Sequence, residues 1–191
     1  MFPKITTIIA FLAAAQALAV PAASGSLKPL QDEAAELAAE GLVLLKTQTL
    51  GDSGIITIYG SIAVTSDEST DSNTTTTPVP LVKRCGSNQP LCGTAWVPAV
   101  SPCETLVGTV QGNPSFLLGN PRSVCYESWG NKCCISWSAN VGTIRQSDLH
   151  AAARGGLDHC VFNGRSCRTT DVSLNDQCVS QCLSNRATGC A

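Results

Sequence analysis

Cysteine is the residue type with the most evident chemistry in this chain. All eleven cysteines follow residue 84, and the first of them directly follows a dibasic pair. Thiols at this density either bind a soft metal or form disulfides in an oxidising compartment. The closest spacings are Cys178-x3-Cys182 and the neighbours Cys133 and Cys134, and neither matches the paired Cys-x2-Cys pattern of zinc sites. The sequence therefore predicts five disulfides and one odd cysteine, with the connectivity left open. The disulfide pool is Cys85, Cys92, Cys103, Cys125, Cys133, Cys134, Cys160, Cys167, Cys178, Cys182 and Cys190.

The other titratable residues after Cys85 show no catalytic pattern. His150 and His159 are nine residues apart on one predicted helix, so they point to opposite faces. The carboxylates show no spacing that would place two of them across a cleft, as a glycosidase requires. No nucleophile elbow, zinc-protease motif or phosphate-binding loop occurs. We predict a protein with no enzymatic activity, cofactor or metal; the alternative is a small hydrolase, such as a nuclease that uses one of the histidines.

A small α+β domain is predicted to position these residues. The β-prone runs within 123–138 are separated by Gly130 and Asn131, which predicts a hairpin with a tight turn. Alternate residues of the second run, from Cys133 to Trp137, predict one buried face with Trp137 in the core. The predicted fold class is a small disulfide-rich α+β domain with an antiparallel β-hairpin or sheet and one main helix.

The main helix is predicted from residue 147 to about His159. Ser147 is a good N-cap, and Asp148 suits the positive end of the helix dipole. The apolar face of this helix, which runs from Leu149 to Cys160, would be attached to the sheet through Cys160.

Weaker patterns predict the remaining elements. The sequence predicts a helix over 30–46, a strand over 54–60 and a short strand over 172–174. It predicts a short helix over 176–184. Four prolines predict a loop-rich segment with short strands over 85–116.

The N-terminal residues predict secretion. Residues 1–19 have one early lysine, an apolar run too short to span a bilayer, and small residues before a cleavage point after Ala19, as in a signal peptide. The mature protein is therefore predicted to be extracellular and to have no membrane span.

Residues 20–84 form a separate leader in composition. Residues 1–84 have five Lys/Arg and eight Asp/Glu, whereas residues 85–191 have seven and six. Asn73 begins the one usable N-glycosylation sequon, within a Ser/Thr-rich stretch that is too polar to fold. Lys83 and Arg84 predict cleavage by a kexin-type protease, which would leave 85–191 as the cysteine-rich domain. The alternative keeps 20–84 as a glycosylated stalk.

Several motifs occur in the order found in a known family. They are Cys85-Gly-Ser-Asn, Pro121-Arg-Ser-Val-Cys125, Cys133-Cys-Ile-Ser-Trp-Ser138, Asp148-Leu149, Asp171-Val-Ser-Leu-Asn175 and Cys178-Val-Ser-Gln-Cys182. This pattern resembles the secreted WD-like domain family of filamentous fungi. The resemblance implies fungal origin, secretion and disulfides but neither a WD40 propeller nor catalytic residues. A looser likeness is to the small killer toxins of smut fungi, from which no residue is carried over.

The predicted function is binding outside the cell. We expect an effector or toxin-like module, or a cell-wall binding module, whose target is a protein, a wall polysaccharide or a channel. Trp96 and Trp129 are the candidate binding residues because exposed aromatic surface marks interaction sites. No nucleic acid partner is expected, since the net charge of +1 over 85–191 is too small to attract one. We expect a monomer; a structural wall protein that dimerises through the odd cysteine is the further alternative.

Overall fold

Seven antiparallel strands form the main sheet, in the order β1-β2-β5-β6-β9-β8-β3. The structure is a computed structural model that describes residues 35, 37–50, 54–61 and 85–190. The strands are β1 (Leu42–Thr49), β2 (Ile55–Ser61), β3 (Gln89–Gly93), β4 (Phe116–Leu117), β5 (Pro121–Ser128), β6 (Asn131–Trp137), β7 (Ile144–Arg145), β8 (Ser166–Leu174) and β9 (Gln177–Ser184). Strands β4 and β7 pair separately from the main sheet. The strand predicted over 54–60 is confirmed as β2.

Two helices cover one face of the sheet. Helix α1 (Val100–Val110) packs against β5 and β6, and α2 (His150–His159) packs against β3, β8, β9 and α1. The main core lies between these layers and is filled by side chains such as Trp137, Leu106, Ile135 and Leu157. We call this side the helix face. The arrangement confirms the predicted disulfide-rich α+β class, with two helices of similar length.

The opposite face of the sheet, here called the back face, carries a second and smaller core. It contains Leu42 and Tyr59 from the hairpin β1–β2, the bonded pair Cys125 and Cys134, and Ala187 from the C-terminal segment. Strand β6 separates the two cores as its alternation predicts, since Cys133, Ile135 and Trp137 face the helices. Trp137 is 1% exposed, so its predicted place in the core is confirmed.

Five disulfides connect the elements and leave one thiol. They are Cys85–Cys178, Cys92–Cys160, Cys103–Cys133, Cys125–Cys134 and Cys182–Cys190, and Cys167 is free. The predicted number of bridges is confirmed. The bond between Cys92 and Cys160 joins β3 to the end of α2, as expected for a helix attached through Cys160.

One predicted helix is wrong and another extends too far, because residues of both belong to strands. The segment predicted as a helix over 176–184 is β9, in which Val179, Gln181 and Leu183 are buried at every second position. Residues 37–39 are helical, but the predicted helix over 30–46 ends before β1, which pairs with β2 along its whole length. Pairing with a neighbouring strand outweighs local helix propensity in both segments.

The loop-rich prediction for 85–116 missed α1. Pro98 and Pro102 indicated irregular backbone, but Pro102 lies in the first turn of the helix, where no intrahelical N–H bond is lost. The buried face of α1 contains Cys103, Leu106 and Val110, spaced three and four residues apart.

The start of α2 also differs from its prediction. A 3-10 turn over Gln146–Leu149, with Arg145 at its N-cap, leads into the helix, and the N-cap of α2 itself is Leu149 and not Ser147 as predicted. The backbone N–H of Arg145 donates to the Asp148 carboxylate at 3.0 Å. Asp148 therefore satisfies an orphan donor at the helix start, which is the favourable acidic contact that the sequence predicted for this end.

Gly155 and Gly156 provide a matched test of helix packing. A Cβ at Gly155 would contact nothing within 4 Å, whereas a Cβ at Gly156 would lie 3.1 Å from both Cβ and Sγ of Cys167. We expect Gly155→Ala to raise the free energy of unfolding by about 0.5–1 kcal/mol, because alanine is the better helix former. Gly156→Ala should not raise the free energy of unfolding, because crowding against Cys167 offsets the gain in helix propensity. Thermal unfolding of both variants measures the difference, and an equal gain in both would contradict the tight packing at Gly156.

Candidate binding surface

Three of the four exposed aromatic side chains among the described residues lie on loops at one end of the main sheet, and the fourth, Phe116, lies on β4. The registers of the paired strands place five strand-terminal residues at this end: Ser128, Asn131, Ser184, Gly93 and Ser166. The loops that follow or precede these residues carry Trp129, Trp96 and Phe162, which are 90%, 53% and 47% exposed. We call these three loops the aromatic rim. The structure therefore places both candidate tryptophans at the same end of the sheet, together with Phe162, which no sequence pattern had indicated.

Trp129 occupies the turn between β5 and β6. Ser128 pairs with Asn131, so the central turn residues are Trp129 and Gly130, with φ of 52° and 72°. The predicted hairpin is confirmed, but the turn lies one residue earlier than the predicted Gly130-Asn131 pair. Positive φ at both central residues suits the right-handed twist of the strands. A large aromatic residue is costly at positive φ, and its exposed ring contributes little to the fold.

Trp96 is held in place by a cation–π contact. The Arg186 guanidinium lies 4.1 Å from the centroid of the Trp96 ring, and the backbone N–H of Asn185 donates to the Trp96 carbonyl at 3.0 Å. Arg186 also donates through Nη2 to Oε1 of Glu40 at 3.0 Å. Three distant segments of the chain thus meet at Arg186, and the stack fixes the orientation of the exposed ring.

A groove runs beside Trp96. Its volume is about 250 Å³, and its lining includes Leu91, Trp96, Arg168 and the Cys182 side of the C-terminal disulfide. Leu91 is 58% exposed, and the Arg168 guanidinium donates through Nε to the Ser180 hydroxyl at 3.2 Å. The volume falls below the roughly 300–1,000 Å³ usual for drug-sized ligands. The groove therefore suits one side chain or one sugar ring of a larger target.

Cys167, the odd cysteine, is buried. Its side chain is on β8 against α2 and is 3% exposed, with Sγ 3.6 Å from the Thr169 hydroxyl. Burial raises the pKa of the Cys167 thiol, and hydrogen bonds from Thr169 and from the backbone of Leu91 only partly oppose this. A buried, protonated thiol is a poor nucleophile and cannot reach a second molecule without local opening. This geometry disfavours the dimer through an odd cysteine.

We expect Cys167 to resist a thiol probe in the folded protein. At pH 8 the raised pKa keeps the thiolate fraction below that of an exposed cysteine, and burial blocks access as well. Maleimide should therefore add less than 0.1 equivalent in the time that fully labels free glutathione, and one equivalent after denaturation without reductant. Intact mass spectrometry reports both values. Full labelling of the native protein would contradict the buried position.

The histidines do not form an acid–base pair with a carboxylate in the described part of the chain. His159 is exposed at the end of α2, and the neighbouring Asp158 carboxylate instead pairs with Arg154 Nε at 2.8 Å. Residues 85–190 hold both histidines, and neither side chain donates to or accepts from a carboxylate there. Across the described ranges, no three His, Cys, Asp or Glu side chains are grouped as a metal site would require.

Several candidate sites lie outside the described residues. These are the signal-peptide cleavage residue Ala19, the sequon at Asn73 and the dibasic pair Lys83 and Arg84. The Ser/Thr-rich stretch around Asn73 also lies outside them. In the ranges that the structure covers, no helix has the length and apolar character needed to cross a bilayer.

Comparison with known families matches residues 21–190 to the family described as fungal WD-like. The match starts before β1 and ends at Cys190, so it includes both the hairpin β1–β2 and the cysteine-rich segment. No curated protein and no solved structure matches the sequence.

Proposed function

This chain belongs to the fungal WD-like family, and on that premise we propose that it is a secreted, non-enzymatic protein that binds an extracellular target through its aromatic rim. The target class that fits best is a fungal cell-wall polysaccharide, whose sugar rings can stack on exposed indole rings. Effector or toxin-like binding to a protein or channel is the alternative within the same proposal.

The observation that carries this proposal is the conformation of Trp129. A residue in the left-handed region costs about 1 kcal/mol or more unless it is glycine or asparagine. Trp129 incurs this cost with φ of 52° while its side chain is 90% exposed. The fold gains little from an indole ring at this position. An indole that is held out into solvent on a tight turn is well placed to contact another molecule.

Disulfides support the proposal because they hold the rim loops in place. The Cys125–Cys134 bond links β5 and β6 within the hairpin whose turn carries Trp129, three residue pairs from that turn. The Cys182–Cys190 bond closes the segment that presents Arg186 to Trp96. Loops that are already ordered lose less conformational entropy on binding, which favours affinity.

The disulfide content also supports secretion. Cytosolic thiols are kept reduced, whereas five bridges persist in an oxidising compartment. The apolar N-terminal segment before Ala19 fits the same route.

The test compares Trp129→Asn with Phe116→Asn. Asparagine tolerates positive φ, so Trp129→Asn should leave the thermal midpoint unchanged or slightly higher. Phe116 is 57% exposed and lies on β4, outside the main sheet and the aromatic rim, so Phe116→Asn is a control for the loss of an exposed aromatic side chain elsewhere. We expect depletion by insoluble fungal wall glucan or chitin to fall at least fivefold for Trp129→Asn only.

Two outcomes would overturn the wall-binding proposal. Equal depletion of wild type and both variants would show that the rim does not bind the wall. A marked drop in the thermal midpoint of Trp129→Asn would show that the indole ring stabilises the fold instead. The effector alternative would be supported if the wild-type protein binds neither polysaccharide but binds host membrane proteins in a way that depends on Trp129.

A further inference from the structure

The hairpin β1–β2 belongs to the sheet but has no covalent link to it other than the backbone. It lies before Cys85, and all five disulfides join residues between Cys85 and Cys190. In the sheet order the hairpin occupies one whole edge, with β2 next to β5 and β1 outermost. From composition, these residues are predicted to belong to a leader that cleavage after Arg84 would remove.

Main-chain pairing with β5 is the first contact that holds the hairpin. Strand β2 runs antiparallel to β5 from the pair Ile55–Glu127 to the pair Gly60–Pro121. At the end of this ladder the backbone N–H of Ser61 donates to the Asn120 carbonyl at 3.0 Å. Without the hairpin, β5 would be an edge strand with an unpaired row of backbone groups.

Side chains of β2 enter both cores. Ile56 and Ile58 are 6% and 8% exposed and contact the main core on the helix face. Tyr59 is buried in the back-face core, where the Lys132 ammonium lies 5.7 Å from its ring centroid. The hairpin therefore fills space on both sides of the sheet, as an integral strand does.

Polar contacts hold the two ends of the hairpin. Arg122 donates through Nη1 to the Ser61 hydroxyl at 3.4 Å and through Nε to the Trp137 carbonyl at 3.0 Å. Glu40, just before β1, accepts from Arg186, and both side chains are less than one-third exposed. These contacts connect the leader to β5 and to the C-terminal segment.

We propose that the edge of β5 that pairs with β2 is a strand-acceptor surface whose partner is the β1–β2 hairpin, and that the hairpin stays bound as a separate, non-covalent chain when the backbone is cut between Ser61 and Cys85. The leader is then a subunit of the mature protein. The match of the family over residues 21–190 supports this unit, since it extends across Cys85. The proposal does not depend on binding by the aromatic rim.

The experiment cuts the folded, full-length chain at Lys83-Arg84 with a kexin-type protease and applies the product to size-exclusion chromatography in native buffer. We expect one peak that contains both chains, which separate on a denaturing gel without reductant. A leader chain that elutes apart from the cysteine-rich chain would overturn the proposal, whether or not the latter stays soluble.

Two matched variants on β2 test which side chains hold the cleaved leader on the sheet. Ile58 is buried and Ile55 is 45% exposed on the same strand. After the cut, Ile58→Ala should raise the dissociation rate of the leader at least tenfold, whereas Ile55→Ala should change it less than twofold. Exchange with an isotope-labelled peptide of residues 37–61 measures these rates on molecules that folded before cleavage. Equal rates in both variants would contradict strand-like docking.

Discussion

Loss of the Cys103–Cys133 bridge should destabilise the protein by about 4 kcal/mol, measured as the free energy of unfolding in denaturant. The bond closes a loop of 30 residues, for which the chain-entropy model gives most of this value. Both cysteines are fully buried, and the bond attaches α1 to β6 in the main core. The double variant Cys103→Ala, Cys133→Ala therefore also loses packing around the removed sulfur atoms.

The matched control is the double variant Cys182→Ala, Cys190→Ala. This bond closes a loop of 8 residues, so the same model gives about 2.5 kcal/mol. The secreted yields of the two double variants should fall in the same order as their free energies of unfolding. A larger loss for the 8-residue loop than for the 30-residue loop would show that loop length does not govern the contribution of these disulfides.

The sequence predicted the features that depend on local pattern. Alternating residues from Cys133 to Trp137 indicated which side of β6 is buried, because the period of a strand is two. The face of α2 from Leu149 to Cys160 followed from helical spacing in the same way. Cysteine number and density predicted five bridges and one odd thiol.

Features that depend on distant partners could not be predicted. Cys178 and Cys182 are four residues apart, which fits one helical turn as well as one face of a strand. In the structure, β9 lies between β6 and β8, and its two cysteines form bonds to Cys85 and Cys190. These distant partners favour the strand over the helix. The rim likewise depends on Arg186 contacting Trp96, which is ninety residues earlier in the chain. No local pattern shows this contact.

The change in composition at Cys85 is a second feature whose structural meaning depends on distant residues. Composition changes sharply there, so the sequence suggests a leader before a separate domain. Strand pairing crosses this boundary, because β2 docks on β5 through backbone N–H and C=O groups, which, proline excepted, do not depend on the side-chain composition. A processing site and a structural boundary need not coincide.

Trp137 and Trp129 should respond in opposite ways to truncation. Trp137→Ala should lower the free energy of unfolding by about 3–5 kcal/mol, because the side chain is 1% exposed and its removal leaves a cavity in the main core. Trp129→Ala removes an indole that is 90% exposed, so we expect a change within about 0.5 kcal/mol. Chemical denaturation of both variants measures the contrast.

Trp137→Phe separates packing from hydrogen bonding in the same core. The indole Nε1 of Trp137 has no hydrogen-bond partner among the described residues, so phenylalanine removes no bond there and loses only the volume of the second ring. The loss should be less than half of that in Trp137→Ala. If phenylalanine is as damaging as alanine, the indole N–H does contribute to stability, and the main core is not held by apolar packing alone at this position.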